Sequence, residues 1–284
     1  MNPFPTAKPL DWRSEDLWLA LEPLRPGLTV EVRACTDSTN TRQLERCRQG
    51  DWSPGLLVAE RQEAGRGRLG RSWWSDAPGG SLTFSLGLPF APPDWSGLSL
   101  AVGLALADAL EPEPAPDWPQ GRLALKWPND LWLRDGQRKL GGILLETATL
   151  PQDGAFDPKA RWLVVGIGLN IRSRTMGDRD DAQFASGFAA TDELLPGLDA
   201  PAVLHRVATP LLHMLARFES AGWAPLAPAF EGRDLLRGRE ISAGVGELAI
   251  RGRGVGLDGT GALLVHTAAG IRAVHSGEVS VRPC

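Results

Sequence analysis

The stretch Glu60–Ser75, ERQEAGRGRLGRSWWS, carries the residue types and spacing most suited to chemistry. Gly65, Gly67 and Gly70 let the backbone turn tightly and come close to a ligand. Arg66, Arg68 and Arg71 supply permanent charge and forked donors that fit phosphate or carboxylate oxygens. An ordered loop of this kind would close over an anionic ligand; a solvated basic turn has the same composition. The spacing also satisfies G-x-G-x-x-G, yet the positions between the glycines are arginine-rich and Arg71–Ser75 has no helical apolar stripe, so a dinucleotide fingerprint is rejected. No G-K-[ST] follows, which excludes a Walker loop.

Two further polar groups accompany this loop. Thr36-Asp37-Ser38-Thr39-Asn40 precedes a polar helical stretch ending near Gln49. Such hydroxyls cap helices, and they can also give donors and acceptors to an uncharged polar ring. Lys126-Trp127-Pro128-Asn129-Asp130 closes an apolar run. A lysine at a strand end can set a point charge against developing negative charge, and Asn129 and Asp130 could orient it or hold Mg²⁺ through oxygen. A plain strand-ending turn is the competing account. Lysine occurs only at positions 8, 126, 139 and 159, so one inside a tight motif stands out. His205, His213, His266 and His275 have no metal-ligand spacing, and no nucleophile signature is present.

The elements that must position these groups are legible in outline. Strands are expected at Thr29–Ala34, Leu56–Ala59, Ser81–Leu88, Leu123–Trp127, Leu140–Leu150 and Arg161–Ile171. Helices are expected at Ser14–Leu24, Gly97–Leu110 and Pro201–Gly222. Gly166 and Gly168 weaken the last strand unless something approaches its backbone closely. Arg172–Thr191 lacks periodicity and reads as a loop that orders over a ligand or as a solvated connector. Beyond Leu236, short alternating runs (Gly246–Gly252, Ala262–Thr267, Gly270–His275, Glu278–Arg282) predict a small barrel-like β domain.

The chain of 284 residues with net charge −4 has room for one large domain and a smaller one, and it is not built around a nucleic-acid surface. Three widely spaced cysteines, no apolar run of membrane-spanning length and no signal-peptide pattern lead to an expectation of a cytoplasmic protein. From the residues alone, the reading is nucleotide-dependent transfer on an α+β fold.

The set of motifs resembles the biotin protein ligase family, also called biotin–[acetyl-CoA-carboxylase] ligase. The resemblance rests on Asp37–Asn40, on Gln62–Trp73 around GRGRLGR, on Lys126–Asp130, on Lys139–Glu146 (KLGGILLE) and on Gly166–Asn170 (GIGLN). It implies a catalytic domain with a mixed sheet and helices like class II aminoacyl-tRNA synthetases over residues 29–235, an SH3-like barrel over 236–284, and an N-terminal extension over 1–28. It implies ATP and biotin as substrates with Mg²⁺, biotinyl-5′-AMP as intermediate, and a lysine of biotin carboxyl carrier protein as acceptor. It places Ser38, Thr39, Gln62, Gly65, Arg66, Gly141 and Gly142 around biotin, and Lys126 at the activated carboxyl group. Arg68, Arg71, Asn129 and Asn170 fall on the nucleotide side, and Arg66, Arg68 and Lys126 are the expected catalytic side chains. The metal ligands and the choice between monomer and homodimer stay open. Some members carry an N-terminal winged helix-turn-helix; residues 1–30 are too short for one, so no sequence-specific DNA binding is expected. A tryptophan that some members place in the adenylate-covering loop has no counterpart in 172–191, where Phe184 or Phe188 could stack. A lipoate or octanoyl ligase and a non-catalytic nucleotide-binding module are the alternatives.

Overall fold

The computed structural model describes residues 10–75, 78–113, 115–173, 187–244, 249–275 and 281–283. Its centre is a mixed sheet of seven strands: β1 (Thr29–Thr36), β2 (Gly55–Gln62), β3 (Ser81–Phe90), β4 (Leu123–Lys126), β5 (Asp130–Leu133), β6 (Arg138–Thr149) and β7 (Arg161–Asn170). Their order across the sheet is β1-β2-β3-β7-β6-β5-β4. Only β1 and β2 run parallel; the other neighbours are antiparallel. The parallel pair needs a crossover, and α2 (Thr39–Arg48) supplies it.

Alternation along the strands decides which face is covered by what. In β3, Leu82, Phe84, Leu86, Leu88 and Phe90 enter the main core, whereas Ser81, Thr83, Ser85 and Gly87 point the other way. In β7, Leu163, Val165, Ile167 and Leu169 face that same core. Helices α1 (Ser14–Leu21), α3 (Leu98–Leu110), α4 (Ala200–Ala221) and α5 (Ala227–Arg233) contribute their buried side chains to it. On the opposite face α2 packs Leu44 and Cys47 against Trp162 and Val164. Asp199 caps α4 by accepting a hydrogen bond from Ala202 N at 2.9 Å. Among the described residues no helix is long and apolar enough to cross a membrane.

The C-terminal part corrects the expected barrel. It holds β8 (Glu240–Ala243), β9 (Ile250–Leu257), β10 (Leu263–Thr267), β11 (Gly270–Val274) and β12 (Val281–Pro283) in the order β11-β10-β9-β8-β12. Among the described residues the edge strands β11 and β12 do not pair, so this is an open antiparallel sheet and not an SH3-like barrel. Closure would need those edges to meet, and the described residues of β12 pair with β8 alone. Nor does the sheet have to bury its apolar face against itself. Leu236, Ile241, Leu263 and Val265 join the core of the larger part, and Trp127 Nε1 donates to Gly261 O at 3.0 Å across the junction. β8 was not foreseen, and parts of the expected runs 246–252 and 278–282 lie outside the described residues.

Candidate active site

The cleft lies on the face that carries the small residues. Going along β7 on this face, Trp162 and Val164 fill the space beneath α2, then Gly166, Gly168 and Asn170 open it. Across the ladder Ser85 pairs with Gly166 and Thr83 with Gly168, and on the other side Leu144 and Gly142 do so. The two glycines have separate causes. A Cβ on Gly166 would overlap the Asn40 carboxamide, and one on Gly168 would overlap the Trp73 indole. The cavity this leaves has a volume of about 210 Å³.

One end of the cleft is neutral and polar. Ser38 is both cap and wall: its side chain accepts from Thr41 N at 3.4 Å, and it lines the cavity. Gln62, at the end of β2, accepts at Oε1 from Thr39 N at 2.7 Å and from the Thr39 hydroxyl at 3.1 Å. Asn40 Nδ2 donates to Leu144 O at 3.2 Å and to Glu146 Oε2 at 2.9 Å.

Just before Ser38, the fork of Arg42 grips Asp37 at 2.7 and 2.6 Å. The pair holds the Asp37 carboxyl well below the usual carboxylate range. A depressed pKa contributes stability that is fully present above the unfolded value of about 3.9 and is lost as pH falls toward the folded one. The pair is partly exposed, so screening keeps the contribution modest. The unfolding midpoint of Asp37→Asn is therefore expected to trail the parent by a constant amount at neutral pH and to converge on it below about pH 4. A gap that widens on acidification would contradict this sign.

The glycine–arginine stretch folds as a tight hairpin over the cleft. Gly67 N donates to Arg71 O at 2.7 Å and Trp73 N to Gly65 O at 2.8 Å, with Arg68-Leu69-Gly70 as the tip. Leu69 takes a left-handed φ of 58° there and is exposed. Arg66 Nη2 pairs with Glu146 Oε1 at 2.9 Å. Arg68 Nη1 donates to Asn129 Oδ1 at 3.2 Å, and Asn129 Nδ2 donates to Ile143 O at 2.8 Å, so hairpin, β4–β5 turn and β6 are tied together. Burial lowers the Arg68 pKa, opposed by Asp130 and reinforced by Arg71; the group remains charged at neutral pH.

At this cationic end Lys139 Nζ lies 2.8 Å from Asp130 Oδ1 and 6.0 Å from the Trp73 ring centroid. Asn170 Nδ2 donates to Ala189 O at 2.9 Å and to Lys139 O at 3.3 Å, fixing the segment that follows residue 186. Phe188 belongs to that segment, whereas Phe184 and most of the expected loop lie outside the described residues.

Of the residues singled out in the sequence, Ser38, Thr39, Gln62, Arg66, Arg68, Arg71, Asn129, Gly142 and Asn170 line one cavity. Gly65 and Gly141 stand behind it: a Cβ on Gly65 would meet Trp73 O at 2.5 Å, and one on Gly141 would meet Leu169 at 2.5 Å. Lys126 borders a space adjoining the cavity, with Asn129, Asp130 and Ile143 common to both. It sits on the edge strand β4, buried, with Nζ 4.5 Å above the Trp132 ring, and the adjoining space has a volume of about 10 Å³. Lys139, Trp73 and Asn40 line the cleft without having been chosen individually, although each lay inside a quoted motif. The signal for Lys139 was present in the scarcity of lysine.

Comparison with known proteins agrees with this geometry. The Biotin/lipoate A/B protein ligase family matches residues 32–153, and the Biotin protein ligase C terminal domain matches 238–282. The Bifunctional ligase/repressor BirA of Escherichia coli is 33% identical over 259 residues, covering 90% of this chain and 75% of that protein. The Biotin–[acetyl-CoA-carboxylase] ligase of Paracoccus denitrificans is 31% identical over 251 residues, covering 87% and 98%. The structure of the biotin protein ligase from Aquifex aeolicus in complex with biotin and ATP superposes with a TM-score of 0.68 at 30% identity, covering 91% of this chain and all of that one. Likeness that extends through the sheet, the cleft and the C-terminal part alike makes this chain a member of the biotin/lipoate A/B protein ligase family, on the side of the biotin protein ligases.

Proposed function

We propose that the cleft joins biotin to ATP as biotinyl-5′-AMP, with release of pyrophosphate, and passes the biotinyl group to one lysine of a biotin carboxyl carrier domain. The observation that carries this is the polarity of the one cavity: neutral donors and acceptors from Ser38, Thr39 and Gln62 at one end, and Arg68, Arg71 and Lys139 at the other. Gln62 on β2 and Asp130 on β5 are four strand spacings apart, about 19 Å, a span suited to a ring, an acyl chain and a nucleotide in line. The neutral end receives the ureido ring, with the backbone around Gly65 and Gly142 close to it. The cationic end receives the phosphates, with Arg68, Arg71, Asn129 and Asn170 on the nucleotide side.

In the first step a biotin carboxylate oxygen bonds to the α-phosphorus as the bond to the β-phosphate oxygen breaks. Charge grows on oxygens that Lys139 and the arginines face. In the second, the acceptor amine attacks the acyl carbon and AMP departs with the bonding pair. We assign the lysine role to Lys139, which lines the cavity, ahead of Lys126, which borders the adjoining space with Asn129 and Asp130. Among the described residues no cluster of His, Cys, Asp or Glu could hold a metal alone. Asp130 and Asn129 fit an Mg²⁺ ion that brings phosphate oxygens as its other ligands and offsets their charge. The reading places the enzyme in the cytoplasm, with ATP and the carrier protein.

The test is incubation with biotin, ATP, Mg²⁺ and a carrier domain, followed by intact mass. One biotinyl group on one lysine is expected. No gain, or a gain only with lipoate or octanoate, would overturn the assignment.

A further inference from the structure

Arg66 and Arg68 leave the hairpin for different partners. Arg68 reaches Asn129 at the β4–β5 turn, at the cationic end. Arg66 meets the later half of β6, where its Nη2 lies 2.9 Å from Glu146 Oε1. Glu146 pairs with Val164 in the β6–β7 ladder, two residues beyond Leu144, which lines the cleft. Its other oxygen, Oε2, accepts from Asn40 Nδ2 at 2.9 Å, in the first turn of α2. One carboxylate therefore touches both the hairpin and the helix that walls the neutral end. The Glu146 side chain is 19% exposed and that of Arg66 48%. Ion pairs on open surface contribute little, because two long side chains must be ordered and water screens them. Here the acid is seated on a strand and largely enclosed, so pairing costs mainly the freedom of Arg66. Arg66 also bridges Ser72 across the hairpin, so what holds Arg66 holds both arms.

We infer that Glu146 is a positioning residue, a clasp that holds the Gly65–Trp73 hairpin down on the cleft through Arg66, so that a bound ligand leaves once this pair parts. The hairpin then has two anchors: the Trp73 ring packed over Gly168 on one arm, and Arg66 on Glu146 on the other. The Arg66 charge faces a carboxylate, which leaves the field at the cationic end to Arg68, Arg71 and Lys139. The clasp rests on the biotin reading for the identity of the ligand beneath the hairpin.

The experiment is a double-mutant cycle on the full chain: the parent, Glu146→Gln, Arg66→Gln and the two together. Biotin release is timed in each, amide exchange across residues 65–73 is followed without ligand, and single-turnover adenylate formation and thermal unfolding are read alongside. Glu146→Gln keeps the size and an oxygen for Asn40 but removes the charge that faces Arg66. It should speed biotin release by about fivefold and accelerate exchange in the hairpin. The loss should fall on biotin affinity and not on adenylate formation at saturating biotin and ATP, since the carboxylate acts through Arg66 and not on the reacting atoms. The double variant should release biotin no faster than Arg66→Gln alone, because two residues that act through each other do not add. A Glu146→Gln protein whose release and exchange match the parent, even with a lower melting temperature, overturns the clasp. So does a further fivefold gain in release when Glu146→Gln is added to Arg66→Gln. A parent protein that binds no biotin overturns the functional reading instead, and exchange in the ligand-free hairpin then decides the clasp by itself.

Discussion

Lys139→Ala is expected to lower the rate of biotinyl-AMP formation by about 10²-fold or more, while Lys126→Ala leaves that rate within a few-fold of the parent. Both lysines lie at strand ends near Asp130, Lys126 at the end of β4 and Lys139 near the start of β6, but their surroundings differ. Lys139 lines the cavity, its ammonium 2.8 Å from Asp130 and within reach of the Trp73 face. A charge held there stabilises negative charge that develops on the transferring phosphoryl group, and removing one such donor typically costs about two to three orders of magnitude. Lys126 lies two strands farther out, with its ammonium over Trp132 and its chain buried. Removing it loses packing and a cation–π contact, which should lower the melting temperature more than the rate. Single-turnover adenylate formation at saturating biotin and ATP, read beside thermal unfolding, separates the two. A rate loss centred on Lys126 would return the assignment to that residue and sink the present one.

The contrast shows how far residue order carries. The alternation SLTFSLGLPF in β3 and the glycines of GIGLN already mark a strand that is apolar on one face and small on the other, and the structure uses the small face for the cleft. The Thr36–Asn40 run and GRGRLGR were legible as candidate site material because five small polar residues exceed what one helix cap needs and three arginines lie between and beside closely spaced glycines. Which of Lys126 and Lys139 serves the site is less legible, because β4 and β5 have four residues each and the placing of a cationic side chain depends on the order β7-β6-β5-β4, a non-local property. The same limit explains the barrel. Turns such as Asp258-Gly259 and Ala269-Gly270 occur in closed and open sheets alike, and closure depends on whether the first and last strands pair. What sequence patterning did not convey is that the second sheet has a larger core to lie against.

Gly168→Ala should weaken both folding and binding. Gly168 sits within β7, opposite Thr83 and Gly142, and its φ is not in the left-handed region, so the backbone accepts alanine. Replacing such a glycine restricts the unfolded chain and stabilises by about 0.4–1 kcal/mol where the new methyl fits. Here the methyl meets the Trp73 indole, and relief comes from moving that ring. Trp73 is the foot of the hairpin: its N–H donates to Gly65 O, and its ring stands beside Lys139. Displacing it opens the hairpin and moves Arg66, Arg68 and Arg71 from the cavity they line. Misplacing positioning groups by about 1 Å can cost about 10²-fold, and a loss of that order is expected in both biotin affinity and adenylate formation. Gly166→Ala offers a comparison on the same strand, since its methyl meets Asn40 and leaves the Trp73 site alone. Melting temperature, biotin calorimetry and amide exchange across residues 65–73 would be measured on both variants. Gly168→Ala should lower the melting temperature, weaken biotin and accelerate exchange in the hairpin, whereas Gly166→Ala should weaken biotin without that acceleration. A Gly168→Ala protein that binds biotin normally would show that Trp73 does not need the strand's open face, and with it the account of why glycine stands there would fail.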